Sequence, residues 1–64
     1  MKSKFELGKR YLIIDIFTLL AYRGMVEVTV LEISPSGKYV KFLFPSKLEV
    51  WERVSDYEIK EVLG

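Results

Sequence analysis

The sequence predicts a small all-β domain of five short strands closed into a barrel, on three observations. β-branched and aromatic residues gather in short runs bounded by Gly, Pro and Ser, which is how strands are punctuated. Helical periodicity is poor throughout. Ser34-Pro35-Ser36-Gly37 is a strong turn signal, with Pro suited to the first central position and Gly able to take a positive φ.

The elements follow in order. Residues 1–8 form a polar, basic lead-in whose anchoring side chains are Phe5 and Leu7. Lys9 to about Phe17 is strand one. Residues 17–24 hold either the end of that strand with a turn or a longer loop. Met25 to Ser34 is strand two, Lys38 to Phe44 strand three and Leu48 to Val54 strand four. Pro45-Ser46-Lys47 turns the chain between the last two. Val54 to Tyr57 reads as one tight turn of 3₁₀ type, and Glu58 to Leu63 as strand five rather than a terminal helical turn. Repeats, low-complexity stretches and linkers are absent, so residues 1–64 make one domain. Strand count and spacing resemble the SH3-like barrel. An OB-like barrel is the alternative, although it commonly needs a longer chain, and a three-stranded meander with flanking segments ranks third.

Register sorts side chains onto faces, because successive residues of a strand point to opposite sides. A three-residue loop at Pro35–Gly37 pairs 33 with 39, 31 with 41, 30 with 42 and 28 with 44. A three-residue loop at Pro45–Lys47 pairs 44 with 48, 42 with 50, 41 with 51 and 39 with 53. A two-residue loop there would set Phe42 against Glu49, a poor match. Both registers give one core face of Val26, Val28, Val30, Val40, Phe42, Phe44, Leu48 and Val50, with Glu32 and Glu52 where the core runs out at the rim. The other face carries Ile33, Tyr39 and Arg53 in one row, Leu31, Lys41 and Trp51 in the next, and Thr29, Leu43 and Glu49 in the third. Pairing of strand one with strand two would add Ile13, Phe17 and Leu19 to that outer face.

Composition narrows the function. The chain has 64 residues, 50% hydrophobic, with one Trp, four Tyr and four Phe. A chain this short buries only about 60% of its unfolded surface, so some apolar side chains must remain outside and invite a partner. Cys is absent, which removes disulfides and thiol chemistry, and His is absent, which removes the usual general base and the commonest metal ligand. No base is spaced to activate a Ser, Thr or Lys nucleophile, and no Gly-rich phosphate loop is present. The reading is therefore not an enzyme, with no cofactor, no metal and no small-molecule substrate. A rim pair of Glu32 and Glu52 could hold a cation, but two solvated strand ends account for them as well. The absence of Asn, Gln and Cys beside retained Lys and Glu matches hyperthermophile composition and suggests a thermophilic source. The apolar runs at 12–14 and 17–22 are too short to span a bilayer, and no leader is evident, so a cytoplasmic, intracellular location without membrane contact is expected.

Ten basic residues against nine acidic ones, evenly spread over both halves, give a net charge of +1. Charge-driven binding to nucleic acid usually shows a clear basic excess. The outer face nonetheless sets Tyr39 and Trp51 among Lys41 and Arg53, and rings among cations can stack bases while meeting phosphates. Trp, Tyr and Arg are equally the residues of protein interface hot spots, and Leu31 and Ile33 make the face more apolar than a nucleic-acid surface needs. The expectation is a binding or assembly module that self-associates, as a homodimer, or takes a protein partner through Leu31, Ile33, Tyr39, Lys41, Trp51 and Arg53. Nucleic acid is the alternative ligand. A cation–π contact of Lys41 over Trp51 and an ordinary cross-strand Tyr39–Arg53 pair are the purely structural account, and the lead-in could cover the face through Phe5 and Leu7. Tyr22 and Arg23, near the tip of the 17–24 segment, are a second candidate. They could grip a peptide as the long first loop of SH3 domains does, or simply belong to a hairpin whose leucines fill the core.

Overall fold

The computed structural model describes residues 3–15 and 25–64. Its strands are β1 (Arg10–Asp15), β2 (Met25–Ile33), β3 (Tyr39–Leu43), β4 (Glu49–Arg53) and β5 (Tyr57–Val62), with a 3₁₀ turn at Val54–Asp56 between the last two. All pairings are antiparallel, in one sheet of order β4-β3-β2-β1-β5. Among the described residues β4 and β5 are the two edges of this sheet, which is not closed into a barrel.

The β3–β4 hairpin has the expected register, from Tyr39↔Arg53 through Lys41↔Trp51 to Leu43↔Glu49. Its loop is the three-residue one. The Lys47 amide donates to the Phe44 carbonyl at 2.8 Å, the Phe44 amide donates to the Leu48 carbonyl at 2.9 Å, and Lys47 takes a φ of 74°. A left-handed residue at that place is what joins the turn to a bulged hairpin.

The β2–β3 hairpin departs from expectation. Thr29↔Leu43 and Val30↔Phe42 are as the sequence implies, but the register then shifts, and Glu32 faces Lys41 while Ile33 faces Val40. Leu31 is the extra residue of a β-bulge. The loop is longer by one residue to match. The Ser34 amide donates to the Tyr39 carbonyl at 2.9 Å, and the Gly37 amide, in a residue with φ 76°, donates to the Ser34 carbonyl at 2.9 Å. Ser34 Oγ accepts the Tyr39 amide at 3.1 Å, and Ser36 Oγ the Lys38 amide at 3.3 Å, so the loop hydroxyls support the longer turn. The unbulged register would have turned Glu32 toward the core and Ile33 toward water. The bulge exchanges them. Ile33 packs against the core cluster and Glu32 is exposed beside Lys41. Keeping a carboxylate out of an apolar interior and covering an Ile both favour this register.

Ile13 is the second correction. β1 runs against β2 with Tyr11↔Val28 and Ile13↔Val26, so Ile13 shares the core face and is wholly buried. The lead-in is the third. Glu6 to Lys9 is a tight turn closed by the Lys9 amide on the Glu6 carbonyl at 3.2 Å, with Gly8 at φ 80°. A positive φ at the third turn position suits Gly. The turn carries Phe5 onto the core side of the sheet, not across the outer face, while Leu7 stays in solvent at 65% exposure.

Phe5 thereby completes the core of Tyr11, Ile13, Val28, Val30, Val40, Phe42 and Tyr57. Its ring meets Tyr11 and Phe42 edge-on, each at 5.1 Å between centroids, and Phe42 meets Tyr57 likewise at 5.5 Å. Edge-to-face pairs of this kind add to simple burial. The Tyr11 hydroxyl accepts the Glu6 amide at 2.8 Å, and the Lys4 ammonium donates to the Tyr57 carbonyl. The lead-in is thus fastened on either side of Phe5. Leu48, placed by parity on the core face, lies past the end of the core and is exposed.

Candidate functional site

Strand alternation on β3 and β4 sends Tyr39, Lys41 and Leu43, with Glu49, Trp51 and Arg53, to the outer side of the sheet. Trp51 is 47% exposed and Tyr39 45%, large values for aromatic side chains in so small a domain. Arg53 is exposed and stands across from Tyr39. Leu31 is half-buried at the bulge. Ile33 has left the outer row for the core, yet its flank still lines a shallow groove of about 450 Å³ with Pro35, Tyr39 and Trp51.

Lys41 decides the electrostatics. Its ammonium lies 3.7 Å from a Glu32 carboxylate oxygen and 3.5 Å from one of Glu49. The lysine is flanked by two carboxylates on its own face, directed at them and not over the Trp51 ring. Such half-exposed pairs contribute little stability. Their effect is to cancel the one cation at the centre of the patch. The bulge made this possible by swinging Glu32 outward. Glu32 and Glu52 consequently point to opposite sides of the sheet, Glu52 being paired with Val40, and form no rim carboxylate pair.

A second groove, of about 610 Å³, opens at the end of the sheet where Arg53 leaves β4. Its walls are Ser3 and Lys4 of the lead-in, Ser36 to Lys38 of the β2–β3 loop with Tyr39 at the start of β3, and Arg53 to Ser55. Lys4, Lys38 and Arg53 converge there with no carboxylate side chain in the lining. The sequence reading missed Lys4 and Lys38. The signal for Lys38 lay in its position one residue before Tyr39, across the hairpin from Val54, whose amide donates to the Lys38 carbonyl at 2.9 Å. Nothing local to Lys4 announces that the lead-in returns to this end.

Tyr22 and Arg23, and with them Phe17 and Leu19, lie outside the described residues. Among the described residues no cluster of three or more acidic, His or Cys side chains is placed to hold a metal ion, and no helix is long and apolar enough to cross a membrane. Comparison with known protein families, curated proteins and solved structures finds no match to this chain.

Proposed function

We propose that this chain is a non-catalytic assembly module, built as an SH3-like small barrel, that associates with itself or with a protein partner through the outer face centred on Trp51. The observation that carries the reading is the half-exposed Tyr39–Trp51 pair around one groove, beside a lysine whose charge is already matched by Glu32 and Glu49. A face that is aromatic and locally neutral suits a protein surface, where Trp, Tyr and Arg concentrate binding energy. It suits phosphate poorly, because neutralising phosphates needs cations not already paired. The barrel reading draws on the four-strand meander β1 to β4, on β5 returning beside β1, and on Phe5 covering the core from below.

Sedimentation equilibrium tests this at two salt concentrations, on the wild type and Trp51→Ala. The reading expects a wild-type dimer in the micromolar range that added salt does not dissolve and that Trp51→Ala does. A monomer at every concentration would remove self-association. Dimers indifferent to Trp51→Ala would remove this face.

The convergence of Lys4, Lys38 and Arg53 beside Tyr39 supports a second reading, in which a nucleic-acid strand runs along the end groove. That reading requires affinity for single- or double-stranded DNA that falls steeply with salt and is weakened by Lys38→Ala. Salt-independent or absent binding would dismiss it.

A further inference from the structure

The edge of β4 specifies how a second copy would dock. We infer that two chains pair antiparallel along β4 about a two-fold axis at Trp51, joining their sheets into one; this rests on the self-association proposed above.

Three observations lead there. First, β4 is an edge strand, and its free hydrogen-bonding groups can be assigned. The Leu48 carbonyl accepts from Phe44 and the Val54 amide donates to Lys38, so the even-numbered residues of β4 face β3. Backbone groups alternate along a strand. The amides and carbonyls of Glu49 and Trp51 and the amide of Arg53 therefore point to the open edge, where no described residue takes them up, while the Arg53 carbonyl opens the 3₁₀ turn that follows. Second, the outer-face residues of β4 are self-complementary about Trp51. An antiparallel copy centred there sets Trp51 against Trp51, and Glu49 against Arg53 on both sides of the axis. The Trp51 rung can exchange both of its hydrogen bonds, and each flanking rung can join the Arg53 amide of one chain to the Glu49 carbonyl of the other. Leu48, otherwise 60% exposed, falls opposite Val54 of the second copy on the core side. Third, β4 carries neither the Pro nor the bulge that would break pairing along an edge. β5 does have a bulge, at Lys60, in its ladder with β1.

The same surface thus serves both copies, as an isologous dimer demands. Opposite charges directly across a strand pair attract and like charges repel. Arg53→Glu alone sets Glu against Glu49, and Glu49→Arg alone sets Arg against Arg53. Mixed in equal amounts, the two variants place two Arg of one chain against two Glu of the other.

Sedimentation equilibrium of each variant alone and of the mixture tests the arrangement, with circular dichroism to verify folding. Each single reversal is expected to weaken the dimer about tenfold or more, and the mixture to restore wild-type association. Arg53→Pro is a second probe. Arg53 has φ −80° and ψ 126°, which proline adopts readily, and its amide points to the open edge. This variant is expected to fold and to remain monomeric. A mixture no tighter than the single variants, or an Arg53→Pro chain that dimerises like the wild type, would overturn the edge pairing. If Trp51→Ala still abolishes the dimer in that case, the outer-face reading stands without it. Closed species larger than a dimer would also overturn it, in favour of β4 pairing with β5 of the next copy.

Discussion

Replacing Phe5 by Ala should bring the domain close to unfolding, although Phe5 precedes the first strand. Its side chain is 1% exposed and meets Tyr11 and Phe42 edge-on at 5.1 Å. Removing a buried Phe side chain costs about 3–5 kcal/mol. A domain of this size holds roughly 3–10 kcal/mol in total, so one substitution outside the sheet removes much of it. The assay is urea unfolding followed by near-ultraviolet circular dichroism, which reports the aromatic cluster. Phe5→Leu keeps most of the apolar burial and loses the edge-to-face geometry, for an expected loss of about 1 kcal/mol. Leu7→Ala, two residues away and exposed, should change stability by less than about 0.5 kcal/mol. The reasoning is refuted if Phe5→Ala costs under about 1 kcal/mol, or if Leu7→Ala costs as much.

Two further substitutions probe the hairpins. Lys47 holds a left-handed conformation at φ 74° that costs an L-residue about 1–2 kcal/mol. After the backbone entropy that Gly loses on folding, Lys47→Gly should raise stability by about 0.5–1 kcal/mol in the same urea assay; a loss would mean that the turn is built otherwise. The bulge at Leu31 puts Ile33 against the core and Glu32 in solvent. Ile33→Ala should therefore cost about 1–2 kcal/mol and Glu32→Ala less than about 0.5 kcal/mol, and equal effects would contradict the register.

The β3–β4 hairpin was legible because two local signals agreed. Pro45-Ser46-Lys47 gives the loop, and a two-residue loop would set the core residue Phe42 against Glu49. The same logic failed one hairpin earlier. Ser34-Pro35-Ser36-Gly37 marks a turn but not how many residues close it, and a bulge can absorb the difference at no cost visible in the local pattern. The clue was Glu32, which the simple register turned inward among valines. Its misplacement argued for a one-residue shift more strongly than the turn argued against it. Ile13 was ambiguous for a different reason: Leu12, Ile13 and Ile14 are apolar on both faces, so alternation carries no information there. Phe5 stood out as an anchor, yet its destination depended on the Gly8 turn, whose direction a sequence does not encode by periodicity. On the outer face, the places of Tyr39, Lys41, Trp51 and Arg53 followed from the one hairpin whose register was right. The neutralisation of Lys41 did not, since half of it comes from Glu32 across the bulge.

The most direct measurement uses Trp51 itself, the one Trp of the chain. At 47% exposure in the isolated chain, its fluorescence should be that of a solvated indole at high dilution. Self-association through its face predicts an emission maximum that moves to the blue with rising concentration, with a midpoint matching the mass change seen by sedimentation. An emission spectrum that stays fixed while the mass doubles would place the contact elsewhere and contradict the account.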